Sequence, residues 1–190
     1  MKIGLFFGSF NPVHVGHMIL ANYMLEYTDL ERIWFVISPQ NPLKDKSILL
    51  DEKHRLDMVN IAIGENDKMK TSDIEFQLEK PSYTIDTLNL LTKENPDDEF
   101  VIIMGTDNLE NFDKWKDYLK ILDKYNIYAY VRPTSDGGYM KNHEKVKIVN
   151  AHMVELSSTF VRQAIKENRD IRYLLPSEVW KHIQKMNFYK

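Results

Sequence analysis

The chain has 190 residues, 43% hydrophobic and 12% aromatic, a net charge of -3 at pH 7 and no cysteine. A domain of this size buries roughly 70% of the surface its unfolded form exposes, so disorder is excluded, and the lack of cysteine excludes disulfides and thiolate chemistry. The acidic balance speaks against a nucleic-acid partner, which needs a basic face, and no apolar run approaches the length of a membrane span. The opening apolar run is too short for a signal peptide, so a cytoplasmic location without membrane contact is expected.

Ile3 to Phe7 reads as a fully buried strand, followed by a turn broken by Gly8 and Pro12. The next helix runs from Val15 to Tyr27, with Val15, Met18, Ile19, Ala21 and Leu25 expected to face inward. A strand, such a turn and a helix start together make a place to hold phosphate, because the turn exposes N–H groups and the helix N-terminus is partly positive. Ile33 to Ile37 is the parallel partner strand, and Ser38 to Lys46, with two prolines, is a loop. Asp51 caps a helix that runs through Ile63 and is stopped by Gly64. Met69 to Gln77 is expected to be a strand, and Thr84 to Glu94 a helix with Ile85, Leu88 and Leu91 on one face.

Glu99 to Met104 is the clearest buried strand, and it leads into Gly105-Thr106-Asp107, expected to be a loop at the same sheet edge as the opening turn. Trp115 to Leu122 reads as helix, Ile127 to Val131 as strand, Arg132 to Gly138 as surface loop and Val146 to Val149 as a short strand. Ser158 to Glu167 is a helix capped by Ser157 or Ser158, and Pro176 opens another that ends near Met186. These two helices are expected to pack together. The alternation implies an α/β fold with a doubly wound, mainly parallel sheet. Residues 1–190 form one domain, with a small C-terminal helical part from about residue 157 to 190.

The opening turn, Gly8-Ser9-Phe10-Asn11-Pro12-Val13-His14-Val15-Gly16-His17, fits G-x-F-x-P-x-H-x-G-H. It resembles the signature of the HxGH nucleotidyltransferase superfamily, whose fold is Rossmann-like. By that resemblance His14 and His17 lie beside the triphosphate of ATP and the turn accepts phosphate through its backbone. Their spacing of three puts both on one face of the helix start. Without that context they would be capping or packing histidines, or a pair sharing a metal ion, although an obvious third ligand is missing. Ser157-Ser158-Thr159-Phe160-Val161-Arg162 resembles the superfamily's S-S-T-x-x-R element, in which hydroxyls, backbone N–H groups and an arginine hold the β and γ phosphates. Alone it is ordinary helix capping; beside the first motif it is a second phosphate grip.

Pro81 to Leu88, Gly105 to Leu109 and Trp115 look like the bacterial nicotinate mononucleotide adenylyltransferases, and the likeness extends over nearly the whole chain. It implies that the pyridine ring stacks on Trp115 and that its carboxylate meets the backbone N–H groups of Thr84 and Lys116, with Tyr83 and Arg132 also at the mononucleotide. It implies ATP contacts at Gly8, Ser9, Phe10, Gly16, Lys44, Gly105, Asp107, Ser158 and Thr159, with His14, His17 and Arg162 as the catalytic set. Two departures stand out. Ser9 and Asn11 replace the more usual Thr and Asp, and Lys116 stands where an aromatic is often found.

The implied reaction transfers AMP from ATP to nicotinate mononucleotide, releasing pyrophosphate and forming nicotinate adenine dinucleotide. His17 would stabilise the α-phosphate, and His14 and Arg162 the leaving pyrophosphate. Mg2+ would accompany ATP, held by its phosphates and water without a dedicated carboxylate cage. No P-loop, dinucleotide glycine motif or nucleophile-elbow serine is present, which argues against a kinase, a dehydrogenase or a serine hydrolase. The alternatives are the same transfer to nicotinamide mononucleotide or phosphopantetheine, an inactive nucleotide-binding regulator, and an RNA-binding module disfavoured by the charge.

Overall fold

The computed structural model describes residues 1–39 and 49–190. Six strands form one sheet: β1 (Lys2–Gly8), β2 (Arg32–Ile37), β3 (Met69–Ser72), β4 (Glu99–Gly105), β5 (Asn126–Tyr130) and β6 (Val146–Val149). Every neighbouring pair is parallel, in the order β3-β2-β1-β4-β5-β6. The order reverses between β1 and β4, so a crevice opens beyond their carboxyl ends, between Gly8 and Gly105. The helices are α1 (Val15–Tyr27), α2 (Glu52–Ile63), α3 (Thr84–Glu94), α4 (Thr106–Glu110), α5 (Tyr118–Lys124), α6 (Ser158–Lys166) and α7 (Ser177–Met186).

Successive strand residues point to opposite faces of a sheet, so strands covered on both sides read as continuous apolar runs. Phe35 and Ile37 of β2 join one core with α1, α2, α6 and α7, while Trp34 and Val36 join the other with α3, α4 and α5. Ile3 and Leu5 of β1 belong to the second core and Phe6 to the first. Each such residue contributes about 1.5–3 kcal/mol on burial, so the crevice stands on a stiff base.

Most expected elements are found, and five details differ. The strand expected over Met69 to Gln77 ends at Ser72, and Ile74–Gln77 is a 3-10 turn. Ile74 and Glu75 are both buried, which adjacent residues of a strand covered on one face cannot be; local bonds from Phe76 and Leu78 to the carbonyls of Asp73 and Glu75 replace the ladder. Gly105-Thr106-Asp107 is not a loop, because Gly105 caps α4 directly and the chain passes from strand to helix.

Trp115 is extended, between a 3-10 turn at Phe112–Lys114 and α5, and Asp117 in the left-handed region (φ 54) separates it from that helix. In α1 the buried stripe runs through Leu20, Ala21, Met24 and Leu25, leaving Ile19 41% exposed. Finally, α7 packs chiefly on α2, although α6 and α7 both feed the same core.

Candidate active site

The turn after β1 is shaped by Phe10. It has a left-handed backbone (φ 43) and is 2% exposed, with its ring 5.6 Å from Phe6 and 5.4 Å from Phe35. That packing holds a conformation a bulky residue rarely adopts. A Cβ on Gly8 would come within 2.8 Å of the Phe10 ring, so only glycine fits there. Behind the turn, the fully buried Arg55 donates to the carbonyls of Ser9 (2.6 Å), Ser38 (2.8 Å), Leu50 (2.8 Å) and Pro39 (3.1 Å). Burial pushes its guanidinium below the ordinary arginine range. Because a trans peptide holds its carbonyl and N–H in opposite directions, drawing the Ser9 carbonyl inward turns the Phe10 N–H away from Arg55.

His14 is the N-cap of α1 and lies just outside the helix, so the two histidines do not share a helix face in the expected way. Their rings stack instead, with centroids 3.7 Å apart and planes 25° from parallel. The His14 backbone N–H donates to His17 Nδ1 at 3.2 Å. An accepting Nδ1 leaves the ring proton of His17 on Nε2, where it can be donated to a ligand. His14 is 4% exposed, and its buried Nδ1 has no hydrogen-bond partner among the described residues. Burial and the nearby Arg132 charge lower its pKa from 6.5 to about 4, so it is neutral at pH 7. A Cβ at Gly16 would approach the His14 ring to 3.1 Å, which ties that glycine to the position of the ring.

The second motif braces the first from behind. Ser157 caps α6 by accepting from the Phe160 N–H (3.1 Å), and Ser158 Oγ donates to the Pro12 carbonyl (2.9 Å). Arg162 Nη1 donates to the Asn11 carbonyl (2.8 Å), and its Nη2 reaches Thr159 Oγ1 at 3.4 Å. Asn11 Oδ1 accepts from Leu50 N–H (3.2 Å) and from the Tyr189 hydroxyl (2.9 Å), so the chain's penultimate residue also grips this turn.

From the turn, a cleft of about 680 Å³ extends across the sheet edge. Of the residues expected at the site, Gly8, Ser9, Phe10, His14, Gly16, His17, Ser158, Asp107 and Arg132 line it, as do Tyr83, Thr84, Trp115 and Lys116. Gly105, Thr159 and Arg162 lie outside its wall, and Lys44 falls outside the described residues. Midway, Arg132 Nε is 4.0 Å from Asp107 Oδ1, and its guanidinium carbon lies 5.1 Å from the Tyr130 ring centroid. The Arg132 charge also acts on His14. Buried Thr106 fixes this region by donating to the Ser135 carbonyl (2.7 Å) and accepting from the Arg132 N–H (2.9 Å).

At the far end, Tyr83 is the N-cap of α3 and supplies no side-chain cap, so the first N–H groups of that helix are available to an anion. Trp115 packs at 5.2 Å from Phe112 and presents its surface to the cleft. Lys116 Nζ lies 4.5 Å from the Tyr83 ring and bonds Asp86 at 2.9 Å, a clasp between the Trp115 segment and the start of α3. Ser38, Glu75 and Lys114 line the cleft without having been expected there. No local pattern marks them, since the sheet topology brings their three segments together.

Residues 5–164 match the cytidylyltransferase-like family. The chain is 50% identical to a probable nicotinate-nucleotide adenylyltransferase of Flavobacterium johnsoniae, with all of both chains covered. The chain belongs to the nicotinate-nucleotide adenylyltransferases. A further member, from Bacteroides thetaiotaomicron, is 43% identical over 97% of this chain and 91% of its own length. The nicotinic acid mononucleotide adenylyltransferase of Plasmodium falciparum, solved in complex with NaAD, superposes with a TM-score of 0.83 over 99% of this chain and 97% of that one, at 21% identity. That likeness confirms the Rossmann-like fold. In nicotinate-nucleotide adenylyltransferases the enzyme class is nucleotidyltransferase, and no described helix of this one is long and apolar enough to cross a membrane.

Proposed function

We propose that this cleft holds ATP at the stacked histidines and nicotinate mononucleotide at Trp115, and joins them. The observation that carries the reading is the pairing, in one cleft, of stacked histidines at the α1 N-terminus, His14 neutral, with an uncapped α3 N-terminus beside a tryptophan. An oxygen of the mononucleotide's phosphate attacks the α-phosphorus of ATP. The bond from that phosphorus to the bridging oxygen of the β-phosphate breaks, and pyrophosphate leaves with the electron pair. The attacking phosphate is already anionic near neutral pH, so no general base is required.

Catalysis is then alignment and charge placement. His17 donates from Nε2 to an α-phosphate oxygen as charge builds there. His14, neutral and desolvated, donates to the leaving pyrophosphate, with N–H groups of the Ser9–Phe10 turn and the Arg162 charge behind it. Gly16, Ser158 and Asp107 complete the ATP side. Arg132 sits where the mononucleotide's phosphate must approach. The pyridine ring stacks on Trp115 beside Tyr83, and its carboxylate takes the N–H groups of Thr84 and Lys116.

Members of this family use ATP, and Mg2+ would arrive with it. Among the described residues no group of three or more His, Cys, Asp or Glu could hold a metal, so the ion's ligands would come mainly from phosphate oxygens and water. The ion would offset charge on those phosphates. Pyrophosphate release with ATP, Mg2+ and a panel of acceptors tests the reading. Nicotinate mononucleotide is expected to be the best acceptor. Equal or faster turnover of nicotinamide mononucleotide or phosphopantetheine would overturn the acceptor, and release with none of them would overturn the enzyme.

A further inference from the structure

Adenylyl transfer as described requires nothing of Glu75, yet this carboxylate is 3% exposed and lies in the wall of the cleft. It sits on the 3-10 turn Ile74–Gln77, just beyond the carboxyl end of the edge strand β3. Its Oε1 accepts from Thr87 Oγ1 at 2.9 Å and its Oε2 from Ser82 Oγ at 3.1 Å. The Ser38 hydroxyl, just past β2, also favours its charged form. Burial raises its pKa, and the three hydroxyls partly oppose that shift. A buried carboxylate held by neutral hydroxyls is a costly choice for packing, where a leucine would serve. What it provides is a fixed link among three segments.

Those segments bracket the acceptor end. Ser82 lies immediately before Tyr83 and Thr84, and Thr87 lies one turn into α3, where its hydroxyl also reaches the Tyr83 carbonyl at 3.4 Å. Glu75 thus grips the chain on both sides of the Thr84 N–H. From the outside, the half-exposed Lys116–Asp86 pair and the Lys116 contact with the Tyr83 ring hold the same stretch. Tyr83 itself is 42% exposed and contributes little packing.

We propose that Glu75 is a positioning residue for the acceptor: a buried strut that fixes the Ser82–Thr84 turn and so sets the affinity for the mononucleotide, leaving ATP binding to the other half. The proposal rests on the acceptor reading above. Steady-state kinetics of Glu75→Ala and Glu75→Gln, each substrate varied in turn, test it. Glu75→Ala is expected to raise KM for nicotinate mononucleotide about tenfold or more, with KM for ATP and kcat within about threefold of wild type. Glu75→Gln keeps an oxygen acceptor and is expected to restore most of the loss.

An unchanged mononucleotide KM, an equal rise in both KM values, or a glutamine variant no better than alanine would overturn the strut. Should Glu75→Ala fail to fold, Ser82→Ala and Thr87→Val cut the same links singly. Each is expected to raise the mononucleotide KM alone, and a rise in both or neither would overturn the proposal. Wild-type enzyme inactive on nicotinate mononucleotide would instead overturn the acceptor reading, and this proposal with it.

Discussion

The two ends of the cleft are built by different means. At the end proposed to hold the phosphates, the contiguous stretch from Gly8 to His17 lines the cleft and the core holds it: Phe10 between Phe6 and Phe35, and Arg55 on four carbonyls. At the acceptor end, segments far apart in the chain meet through single side-chain bonds, Glu75 to Ser82 and Thr87, and Lys116 to Asp86. A site held by the core tolerates little change in its frame. One held by side chains can be retuned a residue at a time, which suits the part that chooses the acceptor.

The largest effect is therefore expected where the frame itself is cut. Arg55→Met leaves buried carbonyls unpaired and is expected to cost about 3–5 kcal/mol of stability, read by chemical denaturation, with activity lost at both ends. His17→Ala spares the frame and removes one donor. It is expected to lower kcat by a hundredfold or more, about 3 kcal/mol, with an unchanged unfolding midpoint. Near-normal turnover would remove His17 from the chemistry.

The third effect is a pH dependence at the histidine end. The folded pKa of His14 is depressed from 6.5 to about 4, so between those values the unfolded chain takes up a proton that the folded chain refuses. Stability is then unimpaired above about pH 6.5 and falls, by up to about 3 kcal/mol, as pH drops toward 4. Unfolding curves of His14→Asn are expected to lack that portion of the decline. At the acceptor end Trp115→Ala is expected to raise the mononucleotide KM about tenfold, about 1.4 kcal/mol, with ATP little affected. An equal loss of ATP affinity would break the division of the cleft. Smallest is Lys116→Ala, which removes a half-exposed pair and a cation–π contact. It is expected to raise the same KM about twofold to threefold at low salt, and less at high salt.

The same contrast explains what was legible in the sequence. The opening turn could be read because its residues are neighbours in the chain, and its flanking strand and helix carry their own apolar patterns. The doubly wound parallel sheet followed from the alternation of elements, whereas the strand order came only with the structure. The stacking of His14 on His17 was hidden, because it depends on His14 standing as a cap instead of entering the helix. The bracing role of Arg55 was hidden too, since it lies in carbonyls from three other segments. Glu75 fell inside an expected strand, and the turn that aims it into the cleft arises where Ile74 and Glu75 are buried together. Trp115 was assigned to a helix, and the left-handed Asp117 that frees it leaves no mark in hydrophobic periodicity.

The most direct test is a crystal structure of this enzyme with nicotinate adenine dinucleotide bound. The pyridine ring is expected on Trp115 with its carboxylate at the Thr84 and Lys116 N–H groups, and the bridging phosphates against His14 and His17. A pyridine ring elsewhere in the cleft, or phosphates away from the histidine pair, would contradict the division of labour between the two ends.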